Sequence, residues 1–198
     1  MCKLAGAFLV ITGAGIAGTS YAYRLKKRLD NLKELEHIVI NIENDIRYRH
    51  SIISSAFKNV STKCHKPFSH WLMFISKRLD YADDPNEANE QLINDFDCDD
   101  EFFNGFFHNT YEFSEIWDKS LIYLKDNSFL KNEDIDDLKT LGQTLGYLDI
   151  TSQKMGISLF LDNLHSKINE INSTLNDKIR ISIIAGMVSG IFIVILLI

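Results

Sequence analysis

The chain has 198 residues, 45% of them apolar and 24% charged, with a net charge of −6. That length supports a core of ordinary size, and the mild acidity excludes nucleic acid as a main partner, because there is no basic excess to neutralise phosphates. Two prolines argue for long helices rather than a many-stranded sandwich, and three cysteines without C-x-x-C spacing, Cys2, Cys64 and Cys98, read as free thiols in a reducing compartment.

Leu4 to Tyr23 carries no charge over 20 residues. As a helix this run is roughly 30 Å long, the hydrocarbon thickness of a bilayer. Within it GAGIAG places Gly13, Gly15 and Gly18 at the spacing of a dinucleotide-binding fingerprint. That fingerprint works only between a strand and a soluble helix, where the backbone cradles a pyrophosphate. In the middle of an apolar helix, small residues four apart instead let a second helix approach closely. Gly13/Ala17 and Ala14/Gly18 have that spacing, and so do Gly186 and Gly190 near the other end. A membrane-tethered dinucleotide oxidoreductase using Gly13 to Gly18 is therefore the alternative to a membrane helix.

After this run come Arg24, Lys26, Lys27 and Arg28, and then Leu25, Leu29, Leu32, Leu35, Val39, Ile42 and Ile46. Steps of three and four make one helical seam. Ser51 is the expected cap of SIISSAF, and Pro67 is expected to open FSHWLMFISKRL. Asp84-Pro85 has the signature of a cap and first turn for PNEANEQLINDF. Asp95, Asp97 and Asp99 alternate as in a calcium loop, yet Asp100 stands in place of the required glycine and Phe106 in place of the bidentate Glu. Cys64, His65 and His70 lack the second ligand pair of a zinc site. No metal or cofactor is expected, and no catalytic constellation or small-molecule substrate. Residues 102–124 hold many aromatic and aliphatic side chains at helical spacing, Phe102, Phe103, Phe106, Phe107, Tyr111, Phe113, Ile116, Trp117, Leu121 and Leu124; they read as core or as a partner surface. Asn132 is the expected cap of EDIDDLKTLGQTLGYL, whose early acids suit the helix dipole. Gly142 and Gly146, four apart, cost about 1 kcal/mol each against alanine, so they imply close packing, a partner groove, or a helix end at Gly146. Asp149 and Gln153 can share a face and either hold a helix–helix turn or meet a partner. Ile157, Leu161, Leu164, Ile168, Ile171 and Leu175 then form a second seam, which leads through Lys178 and Arg180 into a charge-free run, Ile181 to Ile198.

The expected architecture is all-α: an antiparallel helical bundle (24–180) between an N-terminal (1–23) and a C-terminal (181–198) transmembrane helix. Positive residues flanking both runs place the bundle in the cytoplasm. It carries 20 basic against 27 acidic side chains, a net charge of −7. A transporter fragment is a weak third reading, since neither run holds an ionisable residue.

At LKTLGQTLGYLDITSQ the pattern Leu141-Gly142, Leu145-Gly146, Asp149 and Gln153 resembles the signature of the stage III sporulation protein AB family. The opening KLAGA, the basic RLKKRLDNLKELE and the terminal GMVSGIFIVILLI agree with it. So does INIENDIRYRHSIISSAF, with Glu43, Ile46, Tyr48 and Ala56-Phe57. One departure is SIISS, where the family usually has a Pro-Leu-Pro-Glu-like turn. The resemblance implies a non-enzymatic component of a sporulation channel, in the mother-cell membrane facing the forespore. Its cytoplasmic domain would be similar to type II secretion F platform proteins. Its partners would be other sporulation channel proteins, among them a cytoplasmic ATPase, stage III sporulation protein AA.

Overall fold

The computed structural model describes residues 2–49, 52–80, 112–146 and 150–197. Every element among them is a helix: α1 (Cys2–Arg49), α2 (Ile53–Ser61), α3 (Phe68–Asp80), α4 (Phe113–Asn127), α5 (Asn132–Leu145) and α6 (Ile150–Leu197). Six helices and no strand among the described residues make an all-α bundle, as the two seams and the scarcity of proline imply. The glycines of GAGIAG lie in the interior of α1. No strand precedes them and no loop is formed, so the backbone N–H groups that would hold a pyrophosphate are spent in i→i−4 bonds. This removes the dinucleotide reading.

The chain divides into two compact units, Met1–Asp30 with Ser166–Ile198, and Asn31–His165. The larger unit has a conventional hydrophobic core. From α1 it takes Leu32, Leu35, Ile38, Val39 and Ile42; Ile46, the last member of the seam, is half-buried. From α2 come Ala56, Phe57 and Val60, and from α3 Phe68, Trp71, Leu72, Phe74 and Ile75. Ile116, Trp117, Leu121 and Leu124 of α4 are buried as well, so this part of the aromatic stretch is core; Phe102 to Tyr111 lie outside the described residues. Leu138, Leu141 and Leu145 of α5 and Ile157, Phe160 and Leu164 of α6 close the core. Helix α2 packs on α3, α3 on α4, and α4 on α5.

Two helix starts differ from expectation. Helix α2 begins at Ile53 with Ile52 in the extended cap position and no side-chain cap, and it buries an apolar face of Ala56, Phe57 and Val60; Ser51 lies outside the described residues. Helix α5 is capped at Lys131, with Asn132 already helical. The Asp134 carboxylate accepts from the Lys131 backbone N–H at 2.9 Å. A carboxylate at the third helical position does this from inside the helix and satisfies the cap residue's N–H, while the Asp134 N–H donates to the Lys131 carbonyl at 3.0 Å. The segment PNEANEQLINDF and the Asp95–Asp99 loop lie outside the described residues.

The smaller unit is different in kind. Leu25, Leu29, Ile168 and Ile171 are buried in it. Ile16, Ile181, Ile184, Met187, Val188, Ile191, Phe192 and Ile195 are exposed. Helix α6 contains a stretch long and apolar enough to cross a membrane, almost none of it buried within the protein. Large aliphatic side chains turned outward over one broad face of a helix call for an apolar surround.

Candidate functional site

Gly142, Gly146 and Gln153 of the LKTLGQTLGYLDITSQ signature lie at the α4–α5–α6 corner, and an indole explains the first of them. Trp117 Nε1 donates to the Leu138 carbonyl at 2.8 Å, which lays the ring along α5. A Cβ on Gly142 would overlap Cδ1 and Nε1 of that ring. Only hydrogen leaves room, so Gly142 is the floor on which Trp117 rests. It is a side chain, not another backbone, that comes close. Trp71 stands edge-on to Trp117 with centroids 5.0 Å apart and planes at 62°, a favourable quadrupole arrangement. Its own Nε1 donates to Ser120 Oγ at 2.8 Å, and Ser120 Oγ donates to the Trp117 carbonyl at 2.7 Å. Phe57 and Phe113 each lie 5.9 Å from the Trp117 ring. The two tryptophans thus tie α2, α3, α4 and α5 together with every indole N–H satisfied.

Gly146 has a different task. It is the C-cap of α5, at φ −72°, and its N–H donates to the Gly142 carbonyl at 3.1 Å. A Cβ there would stand 3.3 Å from Phe113 Cδ1, tight but not overlapping. Across the turn, Gln153 Nε2 donates to the Leu145 carbonyl at 3.0 Å. Gln153 therefore satisfies a carbonyl that the end of α5 leaves without a helical partner. Asp149 lies outside the described residues.

Further along, Glu43 forms a loose ion pair with Arg47 at 4.0 Å on α1. Tyr48 is in the last turn of the same helix and its side chain is outside the described set. Asp45, one turn from Arg49, is buried and accepts from Asn59 Nδ2 at 3.2 Å, joining α1 to α2. In the smaller unit Gly18 is buried, and a Cβ on it would stand 2.8 Å from the Ser182 carbonyl oxygen. Ser182 Oγ donates back to the Gly18 carbonyl at 3.1 Å. Gly190 is buried and Gly186 half-buried. Gly13 is exposed with nothing within 4 Å, and the side chain of Ala17 is not among those described.

A cleft of about 430 Å³ opens between α1 and the end of α2, lined by Glu34, His37, Ile38, Asn41, Val60, Lys63, Cys64 and His65. Glu34 accepts from the His65 backbone N–H at 2.6 Å and lies 3.2 Å from His65 Nδ1. Cysteine, histidine and carboxylate together invite comparison with a nucleophilic site. Burial, and then the nearby Glu34 charge, push the Cys64 thiol up to about 11. Its Sγ points to the Val60 carbonyl at 3.4 Å. A thiol kept protonated is a poor nucleophile. Glu34 instead pins the α2–α3 loop to α1. Among the described residues no three of His, Cys, Asp or Glu converge as metal ligands. Sequence reasoning missed Ser120, the Glu34–His65 pair and Gly156; only Gly156, a glycine at the head of a helical seam, left a readable trace.

The match to known proteins runs the length of the chain. A profile described as stage III sporulation protein AB matches residues 3–99 and 100–198. The stage III sporulation protein AB of Bacillus subtilis (strain 168) is 23% identical over 199 residues, covering 100% of this chain and 99% of that protein. A solved structure of a stage III sporulation protein AB, 22% identical, superimposes with a TM-score of 0.56 over 76% of this chain and 97% of that one, which supports the fold. The chain belongs to the stage III sporulation protein AB family.

Proposed function

We propose that this protein is a non-enzymatic, membrane-anchored platform of a sporulation channel complex, in the mother-cell membrane around the forespore. Leu4 to Tyr23 and Ile181 to Ile198 would be its two spans, and residues 24–180 a cytoplasmic domain that receives a partner ATPase, stage III sporulation protein AA. The observation that carries the reading is the smaller unit. Its exposed aliphatic side chains need lipid, and its two helices touch through Gly18 and Ser182, the small-residue contact by which helices associate where water cannot drive them together. Arg24, Lys26, Lys27 and Arg28 beside the first run, and Lys178 and Arg180 beside the second, support a cytoplasmic bundle.

Topology is tested with an exposed cysteine, because the native Cys64 is half-buried and held protonated. Ser158 is exposed on α6. A Ser158→Cys variant without the native cysteines, expressed in vegetative cells where the far side of the membrane faces the medium, should resist an impermeant maleimide in intact cells and react once the cells are opened. Labelling of intact cells would overturn the orientation. Full-length protein in nanodiscs should bind the purified ATPase, with affinity falling as salt rises; absence of binding at low salt would overturn the platform role.

A further inference from the structure

At Gly142 and Gly156 a Cβ would run into a side chain, of Trp117 and of Thr144; at Gly18 it would run into the Ser182 carbonyl. The two long helices of the smaller unit therefore touch backbone to backbone at this crossing. Past it Leu25 and Leu29 of α1 are buried, and before Ser182 so are Ile171 and Ile168 of α6, so the pair runs antiparallel. Arg24 is six residues past Gly18, and Lys178 is four before Ser182. At 1.5 Å per residue they stand roughly 9 and 6 Å from the crossing, on the same side of it. Tyr21, Arg24 and Arg28 follow at steps of three and four and make one stripe of α1, next to the buried stripe of Gly18, Leu25 and Leu29. Lys178 shares its side of α6 with Ser182. Counting about 100° per residue from Gly18 and from Ser182 turns Arg24 and Lys178 to the same flank of the pair.

Arg24 and Lys178 are exposed, as are Lys26 and Arg180, and none of the four has an ion pair among the described residues. Lys27 stands over the Tyr23 ring at 5.7 Å, and Arg28 is buried with a partner of its own. Of the unit's carboxylates Asp177 adjoins Lys178, while Asp30 and Glu170 lie roughly 9 Å or more beyond Arg24 and Lys178. Residues 24–30 and 177–180 carry six cations and two carboxylates, net +4; residues 31–176 carry 14 basic and 25 acidic side chains, net −11. Positive charge is thus gathered where the charge-free runs meet the rest of the chain, with the exposed Tyr21 and Tyr23 at its edge. Ile181 and Val188, both exposed, continue the flank from Lys178 at steps of three and seven. A guanidinium and an ammonium on neighbouring helices suit a phosphodiester, a tyrosine beside them suits the headgroup level, and the aliphatic side chains beyond suit an acyl chain. A free phosphate or an acidic peptide would satisfy the cations and leave that aliphatic wall unused.

We propose that the Tyr21–Arg24–Lys178 flank binds the phosphate of an anionic phospholipid, whose acyl chains lie along Ile181 and Val188. The inference rests on the reading of both charge-free runs as membrane spans and adds which lipid they select. The test reconstitutes full-length protein in phosphatidylcholine bilayers holding a trace of chain-spin-labelled lipid, either phosphatidylglycerol or phosphatidylcholine. Electron spin resonance reads the fraction of each label that the protein slows. At low salt the anionic label should be preferred about fivefold. Arg24→Gln with Lys178→Gln should bring the ratio close to one. Lys26→Gln with Arg180→Gln removes the same charge from other sides of the helices and should keep most of the preference. Slowing of phosphatidylcholine to the wild-type extent confirms that the variants still pack in the bilayer. Equal losses in the two pairs would mean a diffuse field and would overturn the site. Inorganic phosphate at matched ionic strength should not compete; if it erases the preference, the ligand is a soluble anion and the proposal falls. If wild type slows both labels equally, the site is wrong and the spans stand. If it slows neither, the spans are wrong and this inference goes with them.

Discussion

Replacing Gly142 by alanine puts two effects in opposition. In a helix interior the change should stabilise by about 1 kcal/mol, since alanine loses less backbone entropy. Here the new methyl would occupy the place of Cδ1 and Nε1 of Trp117. That ring cannot step aside cheaply: it is wedged between Trp71, Phe57 and Phe113. Overpacking a filled core costs about 1–3 kcal/mol. Drawing Nε1 off the Leu138 carbonyl adds about 1–3 kcal/mol for a buried donor left unmatched. Net destabilisation of roughly 1–5 kcal/mol follows, centred near 3. The assay is well placed, because the chain has two tryptophans, Trp71 and Trp117, and both lie in this cluster. Denaturant unfolding of the full chain in detergent, followed by intrinsic fluorescence, reports this centre alone. Gly146→Ala is the control; its Cβ meets Phe113 at 3.3 Å without overlap and should stay within about 1 kcal/mol of wild type. A cycle with Trp117→Leu should show the two sites strongly coupled. A Gly142→Ala protein as stable as wild type, or stabler by the helix-propensity increment, would refute the reasoning.

Three further outcomes are expected. Gln153→Met keeps the shape but removes the donor to the Leu145 carbonyl; a loss of about 1 kcal/mol should appear as faster amide exchange at the end of α5. With Cys2 and Cys98 changed to serine, Cys64 should alkylate slowly at pH 8. A thiol at about 11 rather than 9 has a roughly 100-fold smaller thiolate fraction. Its rate should climb until about pH 11, and Glu34→Gln should move that rise to lower pH. Because the folded thiol is the weaker acid, its contribution to stability is intact below pH 9 and is lost between 9 and 11. Gly18→Leu should force apart the contact with Ser182. Spin labels at Ser20 and Ile181, both exposed, would read a longer or broader distance, and an unchanged distribution would count against a packed pair.

What was legible in the sequence is what repeats locally. The α1 seam shows itself through spacing alone, and Leu25, Leu29, Leu32, Leu35, Val39 and Ile42 are all buried. The charge-free C-terminal run became a helix with its aliphatic side chains outward. Cap positions were less legible, since Ile52 and Lys131 hold theirs through neighbours rather than through their own side chains. Least legible were contacts between residues far apart in the chain. His65 meets Glu34 from 31 positions away. Trp71 reaches Ser120 across 49, and no local pattern encodes such a partner.

The glycines show how far spacing can go. Ala14/Gly18 and Gly142/Gly146 have the same four-residue interval, and both predict close approach. What approaches depends on the solvent. In the larger unit water drives big side chains inward, and the space above Gly142 is filled by an indole that buries more apolar surface than any backbone could. In the smaller unit the large aliphatic side chains stay outside, as a lipid surround would allow, and the neighbour at Gly18 is the bare backbone of Ser182. The interval marks a place where a side chain is forbidden, and the exposure of the surrounding apolar residues decides whether a ring or a helix takes it. By that logic Gly142→Ala should be harmful in water or detergent alike. Gly18→Leu should separate its helices most where lipid competes for both faces.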